Sequence, residues 1–230
     1  MQSTVSPSPL VGVGLYTPSE ASLYTGIPAA DIRRWLFGYS SNGIHHPGLW
    51  QSELMDVNEY ILSFHDLLEI RFVHAFRQHG VSLQAIRNAS RQASELFGQA
   101  YPFTCKRFQT DGRSIFATVL DETGDETLLD LIKKQYAFKH VISPSLYEGI
   151  DYTGKGSAQR WYPVKRSKIV VLDPARNFGK PVLTGAGIDT ATLFNAYEAE
   201  GNDTKRIALL YEIPPSAVRA AIEFEQRRAA

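Results

Sequence analysis

The sequence predicts an α+β fold that is mostly helical. It combines an N-terminal winged helix-turn-helix, a small β-containing middle region and a C-terminal three-helix module that is helix-turn-helix-like. Three observations lead to this prediction: capping boxes and a proline-initiated helix near the start, short β-rich runs in the middle, and renewed helix signals after residue 173. We therefore divide the chain into a flexible arm (1–14), a winged helix-turn-helix domain (15–98), a middle region (99–172) and a C-terminal module (173–230).

The overall composition is that of an ordinary globular protein. Hydrophobic residues make up 43% of the 230 residues and charged residues 21%, which excludes bulk disorder. A single cysteine, Cys105, excludes an internal disulfide, and the sequence has neither a signal peptide nor a long apolar run. We expect a cytoplasmic protein. Since 24 acidic residues balance 24 basic ones, any DNA binding must depend on local geometry.

The first ordered elements are two short helices. Thr17, Pro18 and Glu20 form a capping-box pattern that begins the first helix, and Thr25-Gly26 ends it. Pro28 begins the second, Ala29–Phe37. Two short helices joined by a tight turn that contains glycine are typical of a helix-turn-helix.

A turn-rich segment and two longer helices follow. Residues 39–62 contain Asn42-Gly43 and Pro47-Gly48, which predict a hairpin or wing. Ser63 and Asp66 form a second capping box, which begins a helix to about Gln78. Its apolar residues are spread around the helix, so we expect burial inside the domain or partly by a second protomer. Ser82 caps the next helix.

In the middle region the sequence predicts mainly strands. Phe103–Thr110 and Ser114–Val119 are β-rich runs, and Asp111-Gly112 between them is a typical hairpin turn. We expect further strands at Arg160–Val164 and Ile169–Leu172, and short helices at Leu128–Lys134 and Pro144–Tyr147.

The C-terminal module predicts three helices, Thr190–Glu200, Asp203–Tyr211 and Pro215–Arg228. The last two repeat the N-terminal helix pair at an offset of 186 residues, with four identities in the fourteen positions that start at Leu23 and Leu209. Common descent and convergence on one packing solution both explain this match.

The second helix of the N-terminal pair carries the chemistry expected of a DNA reader. Arg33 and Arg34 supply forked donors, Ala29 and Ala30 allow close approach, and a helix N-terminus attracts phosphate. The alternative is a solvated helical face without a function. The candidate DNA-binding residues are Thr17, Ser19, Thr25, Ala29, Ala30, Arg33, Arg34, Tyr39, His45 and His46.

The corresponding helix of the C-terminal module is less basic, because Ala220 and Ala221 replace Arg34 and Trp35. We therefore predict protein contact there, with a purely structural three-helix cap as the alternative. The candidate partner-binding residues are Tyr211, Ala217, Ala220, Ala221 and Phe224.

The sequence offers no constellation for catalysis. His45 and His46 have no third metal ligand nearby, and Cys105 in an apolar run predicts a buried thiol. No phosphate-loop, metalloprotease or nucleophile-elbow spacing occurs. We therefore expect no enzyme activity, no metal and no cofactor.

Several motifs carry a family resemblance. Tyr16–Ala21, Thr25–Pro28 and Ile32–Trp35 resemble a MerR-type winged helix-turn-helix, and Ser63–Ile70 with His79–Ile86 resemble the helices that follow its wing. Residues 179–230 are similar to a small antitoxin-like module. The combination resembles the VapB-like antitoxins with an N-terminal DNA-binding domain.

The resemblance implies a type II toxin–antitoxin role. The protein would neutralise a PIN-like ribonuclease toxin and act as a transcriptional repressor of its own operon, as a homodimer on operator DNA. The resemblance matches Arg33 to the arginine of the family's recognition helix, while Arg34 stands where the family more often has tyrosine. Two alternatives are a stand-alone MerR-like regulator that senses a small ligand through its middle region, and an interaction adaptor with a degenerate winged fold.

Overall fold

The computed structural model describes residues 12–54, 60–124 and 144–229. About half of these residues are helical, and the strands form two-stranded antiparallel sheets. This confirms the predicted mixture of helices and small sheets. Residues 1–11 of the predicted arm and the helix predicted at 128–134 lie outside the described residues.

The helices are α1 (Pro18–Thr25), α2 (Ala29–Phe37), α3 (Phe64–Gln78), α4 (Leu83–Phe97), α5 (Phe108–Thr123), α6 (Pro144–Tyr147), α7 (Thr190–Ala199), α8 (Thr204–Leu210) and α9 (Pro215–Ala229). The strands are β1 (Tyr39–Ser41), β2 (Ile44–His46), β3 (Ile150–Tyr152), β4 (Ala158–Trp161), β5 (Val170–Val171) and β6 (Val182–Leu183), paired in that order as β1–β2, β3–β4 and β5–β6. None of the described helices is both long and apolar enough to cross a membrane.

The predicted capping boxes are present at α1 and α3. The Thr17 side chain accepts a hydrogen bond from the Glu20 backbone N–H, and the Glu20 carboxylate accepts one from the Thr17 N–H. Ser63 and Asp66 make the same reciprocal pair at α3. Each box satisfies two backbone donors at a helix start, so these starts are encoded locally.

The larger hydrophobic core surrounds α3. Phe64, Leu67, Phe72 and Phe76 are fully buried, and α3 is covered by other parts of the same chain. The core also takes in residues from α1, α2, α4, α5 and the segment up to Leu172. Of the two explanations for the apolar α3, burial inside the chain therefore suffices.

The structure corrects the strands predicted at Phe103–Thr110 and Ser114–Val119. Residues 103–107 form turns, and α5 runs through the rest without a break at Asp111-Gly112. The buried positions of α5 recur at helical spacing: Phe108, Gly112, Ile115, Phe116 and Val119. That stripe packs on α4 and places its Phe side chains against Phe76, so tertiary packing overrides the local β-propensity and turn signal.

The two later strands predicted in the middle region exist but are shorter or displaced. β4 ends at Trp161, three residues before the predicted end, and β5 contains only Val170 and Val171. An antiparallel bridge between Trp161 and Leu172 joins them to one another. The helix predicted at Pro144–Tyr147 is present as α6.

The C-terminal module has a smaller core of its own. Leu193, Ile207, Val218 and Ala221 are buried there, together with Val170 and Leu183 from the last sheet. Helices α7, α8 and α9 match the predicted helices to within one or two residues. Asp189 and Asp203 cap α7 and α8 with their carboxylates.

The segment that leads into α1 contacts the C-terminal module. The Tyr16 hydroxyl donates a 2.7 Å hydrogen bond to the Gly179 carbonyl, and the Leu15 N–H bonds to the Phe178 carbonyl at 2.9 Å. Tyr24 of α1 packs against both hydrophobic cores. The N-terminal helix pair is therefore anchored to the C-terminal module as well as to α3.

Candidate nucleic-acid interface

Helix α2 separates into a buried side and an exposed side. Ile32, Trp35 and Leu36 are buried in the larger core, whereas Arg33 and Arg34 are exposed. Ala30 is exposed and Ala29 half-buried beside them. The sequence interpretation of this helix as amphipathic, with both guanidinium groups directed outward, agrees with these positions.

The N-terminus of α2 is open. Its N-cap is Pro28, whose ring offers no acceptor, and no side chain caps the first turn. The first N–H groups of the helix are therefore available to an external acceptor. Asp31 in the first turn is the acid nearest in sequence to the two arginines.

The β1–β2 hairpin follows α2 directly and is held against its C-terminal end. The Leu49 N–H donates to the Trp35 carbonyl at 2.7 Å, and a side chain at Gly48 would collide with the Leu36 carbonyl. A guanidinium nitrogen of Arg87 in α4 donates to the Pro47 carbonyl at 2.8 Å. Helix and hairpin therefore form one supported surface.

Cationic and aromatic side chains connect α2 to the hairpin. The Arg34 guanidinium carbon lies 4.1 Å from the centroid of the Tyr39 ring, and Tyr39 stacks on His46 at a centroid distance of 4.6 Å. His45 is exposed on the adjacent strand position. This stacking orients Arg34 without burying its charge.

The predicted α1 residues differ in what they can offer. Thr17 is committed to the capping box, and the Thr25 hydroxyl donates to the Ala21 carbonyl at 2.6 Å. Ser19 is exposed. Thr17 and Thr25 therefore stabilise α1 and the turn before α2. The Ser19 side chain makes no hydrogen bond within the described residues.

Sequence reasoning missed a cleft between α2 and α3. It has a volume of about 290 Å³, and its lining includes Asp31, Arg34, His74 and Arg77. The His74 ring lies 6.2 Å from Trp35, and Arg77 donates to the Val81 carbonyl. The helical periodicity of α3 could have identified Arg77 as an exposed position. It could not have shown that Arg77 lies close to Arg34.

The predicted partner-binding residues at the end of α8 and on α9 are only partly on the surface. Tyr211, Ala217 and Ala220 are half-buried, whereas Ala221 and Phe224 lie in the core of the C-terminal module. This burial removes Ala221 and Phe224 from the surface that a partner could contact. The prominent apolar surface lies at the end of α8, directly before Tyr211: Leu209 is 82% and Leu210 63% exposed.

The structure also shows the surroundings of the residues considered for metal and thiol chemistry. Within residues 12–54, 60–124 and 144–229, no three His, Cys, Asp or Glu side chains come together as ligands for a metal ion. Cys105 is buried, as the sequence predicts.

Comparison with known proteins adds relatives with similar sequence. No family model matches the chain. A curated Mycobacterium tuberculosis (strain ATCC 25618 / H37Rv) protein named "Putative antitoxin VapB45" is 26% identical over 226 residues, which cover 92% of this chain and 93% of that protein.

A solved structure has a similar fold. The X-ray crystal structure of Rv2018 from Mycobacterium tuberculosis matches with a TM-score of 0.66 and 25% sequence identity. The match covers 92% of this chain and 98% of that chain. The similarity therefore extends over nearly the whole length in both comparisons.

Proposed function

We propose that this protein is a DNA-binding antitoxin that neutralises a PIN-like ribonuclease toxin and represses its own operon as a cytoplasmic homodimer. The observation that carries the DNA-binding half is the exposed arginine pair on α2, next to an open helix N-terminus and a supported hairpin. The antitoxin half is supported by the full-length similarity to a protein named as an antitoxin.

The α2 surface has the chemistry of a major-groove reader. Exposed Arg33 can present its guanidinium to the O6 and N7 acceptors of a guanine, and the open N-terminus can accept a backbone phosphate. In this arrangement the hairpin, with His45 at its surface, contacts the flanking backbone. A homodimer would place two such helices on the half-sites of a palindromic operator.

The DNA test compares two arginines at equivalent positions. Arg33→Ala should weaken binding to the operon's own promoter fragment by about 1–3 kcal/mol, if Arg33 reads a guanine. Arg219 is also exposed, 186 residues later on α9, so Arg219→Ala is the matched control and should leave affinity unchanged. Both are measured by fluorescence anisotropy at one fixed salt concentration.

Two results would contradict this proposal. Equal losses in the two variants would point to general electrostatics rather than to a reading helix. An affinity for Arg33→Ala equal to that of the wild type would remove α2 from the DNA interface.

We place the toxin-binding surface at the end of α8. Leu209 and Leu210 are adjacent and highly exposed, and Tyr211 follows them. Apolar side chains exposed in this way contribute to binding when a partner covers them. The half-buried α9 residues Ala217 and Ala220 would border the contact.

The toxin test is co-expression with the product of the neighbouring short reading frame, which we expect to be the PIN-like toxin. The wild type should form a stable complex and relieve growth arrest, and Leu209→Ser/Leu210→Ser should lose both. Leu23→Ser is the matched control, because Leu23 is the α1 counterpart of Leu209 and is 46% exposed. A wild type that neither binds nor relieves arrest overturns the antitoxin assignment and leaves the DNA test unaffected.

A further inference from the structure

A cavity of about 380 Å³ lies between α3 and the segment that follows β4. Its described lining includes Arg71, Trp161, Tyr162, Lys165, Arg166 and Lys168. None of these residues belongs to the α2 surface or to the apolar end of α8. The cavity falls within the size range of pockets for small molecules.

Arg71 is the unusual member of this lining. Its guanidinium carbon lies 4.3 Å from the centroid of the Trp161 ring, and its Nη1 atom is buried with no hydrogen-bond partner among the described residues. Burial lowers the pKa of Arg71 to about 10, so the group still carries its charge at neutral pH. Arg71 as a whole is half-buried, but a buried guanidinium nitrogen without an acceptor is costly, and a bound anion would remove that cost.

The rest of the lining is also cationic. Lys165 and Arg166 are exposed at the rim and take part in no ion pair within the described residues. Lys168 pairs with Asp151 at 3.1 Å, and Glu148 is the acid among the described lining residues. Positive charge therefore exceeds negative charge in and around the cavity.

We propose that this cavity binds the phosphate group of a small molecule. A phosphate ester carries close to two negative charges and three acceptor oxygens, which suits Arg71 together with Lys165 and Arg166. A single carboxylate would balance only one of these cations. Arg71 would hold the group from inside through Nη1, and the two rim residues would close over it from the solvent side.

The experiment is isothermal titration calorimetry with pyrophosphate as the probe and citrate as the carboxylate comparison, at one ionic strength. The wild type should bind pyrophosphate more tightly than citrate. Arg71→Met should weaken pyrophosphate binding by about 10- to 100-fold, the usual value of a charged hydrogen bond. Arg113→Met removes the same charge from an exposed position on α5 and should change nothing.

A second variant keeps the test decisive if Arg71→Met fails to fold. Lys165→Gln/Arg166→Gln changes only rim residues and should also weaken pyrophosphate binding. The proposal is overturned if the wild type does not bind pyrophosphate, if citrate binds as tightly, or if the folded cavity variants bind as well as Arg113→Met does. None of these outcomes depends on DNA or toxin binding.

Discussion

The N-terminal helix pair (α1 and α2) and the C-terminal helix pair (α8 and α9) share capped first helices, a left-handed turn residue and buried positions, but expose different chemistry. Their positions correspond at an offset of 186 residues. Thr17 and Asp203 each cap the first helix, and Gly26 and Glu212 each adopt a left-handed conformation in the turn. The two pairs therefore also correspond in their helix caps and turn conformation, at positions where their residues are not identical.

The differences lie on the exposed sides. Arg34 is exposed on α2 where α9 has half-buried Ala220, and Leu23 is 46% exposed where Leu209 is 82% exposed. The N-terminal pair continues into the β1–β2 hairpin. The comparison teaches that packing fixes the shared arrangement, while a few outward side chains determine what each pair can bind.

The largest expected effect comes from placing a charged residue in each of the two hydrophobic cores. Ile32 and Val218 occupy equivalent, fully buried positions. Ile32→Asp and Val218→Asp should each destabilise their own core by more than about 4 kcal/mol, because each buries an unpaired carboxylate. Thermal unfolding followed by circular dichroism and by tryptophan fluorescence measures both.

The two probes separate the cores. All three tryptophans lie in or against the larger core, so fluorescence reports on that core alone. Ile32→Asp should abolish the fluorescence transition, and Val218→Asp should largely preserve it. A fluorescence transition that Ile32→Asp leaves at the wild-type temperature would refute the packing of α2 described above.

A second test changes the side-chain size at two equivalent buried positions, one in each helix pair. Trp35 and Ala221 are both buried, so the two helices differ by nearly a whole indole at this position. Trp35→Ala should cost about 3–5 kcal/mol through the cavity it leaves. Ala221→Trp should cost about 1–3 kcal/mol or more through overpacking. Urea unfolding measures the free energy of unfolding of both variants. An unchanged value for Ala221→Trp would show that the core of the C-terminal pair has room for the indole that the N-terminal pair buries.

The next test measures how the stability of the larger core depends on pH. Burial raises the pKa of Glu69 on α3 to about 8, although Phe103 and Thr104 donate backbone hydrogen bonds to its two oxygens at 2.9 and 3.0 Å. The folded state therefore binds the proton that the unfolded state releases above about pH 4.3. This contribution to stability is lost as the pH rises from there through about 8, at no more than about 1.4 kcal/mol per pH unit.

Glu69→Gln isolates that contribution. Its free energy of unfolding should depend less on pH between 5 and 8 than that of the wild type, as measured by urea unfolding with tryptophan fluorescence. Other groups titrate equally in both proteins, so the difference reports on Glu69. Equal pH slopes would show that the Glu69 carboxyl does not hold a proton in the folded state.

The sequence predicts the elements whose signals are local. The caps at Thr17 and Ser63, the turn at Gly26 and the helices of both pairs follow from residues within a few positions of each other. The α2 surface is predictable for the same reason, since on one short helix Arg34 lies opposite the buried Ile32 and Leu36 and Arg33 lies at the edge of that buried side.

Features that depend on distant residues are not predictable in this way. Gly112 looks like part of a turn but is buried in α5, where packing on α4 decides the conformation. The phosphate-binding cavity joins Arg71 to Trp161, which lies 90 residues away in the sequence. Neither residue carries a local signal for the other.

The smallest expected effect concerns the turn that both helix pairs share. Gly26 has φ 72° with open space around its Cα, so Gly26→Ala should cost about 1 kcal/mol from backbone strain alone. Glu212 has φ 54°, and Glu212→Gly should relieve similar strain, offset partly by the greater entropy of the unfolded glycine chain. We expect a net gain below about 1 kcal/mol in urea unfolding followed by circular dichroism. A loss in Glu212→Gly would mean that the Glu212 side chain, and not the backbone arrangement, stabilises the C-terminal turn.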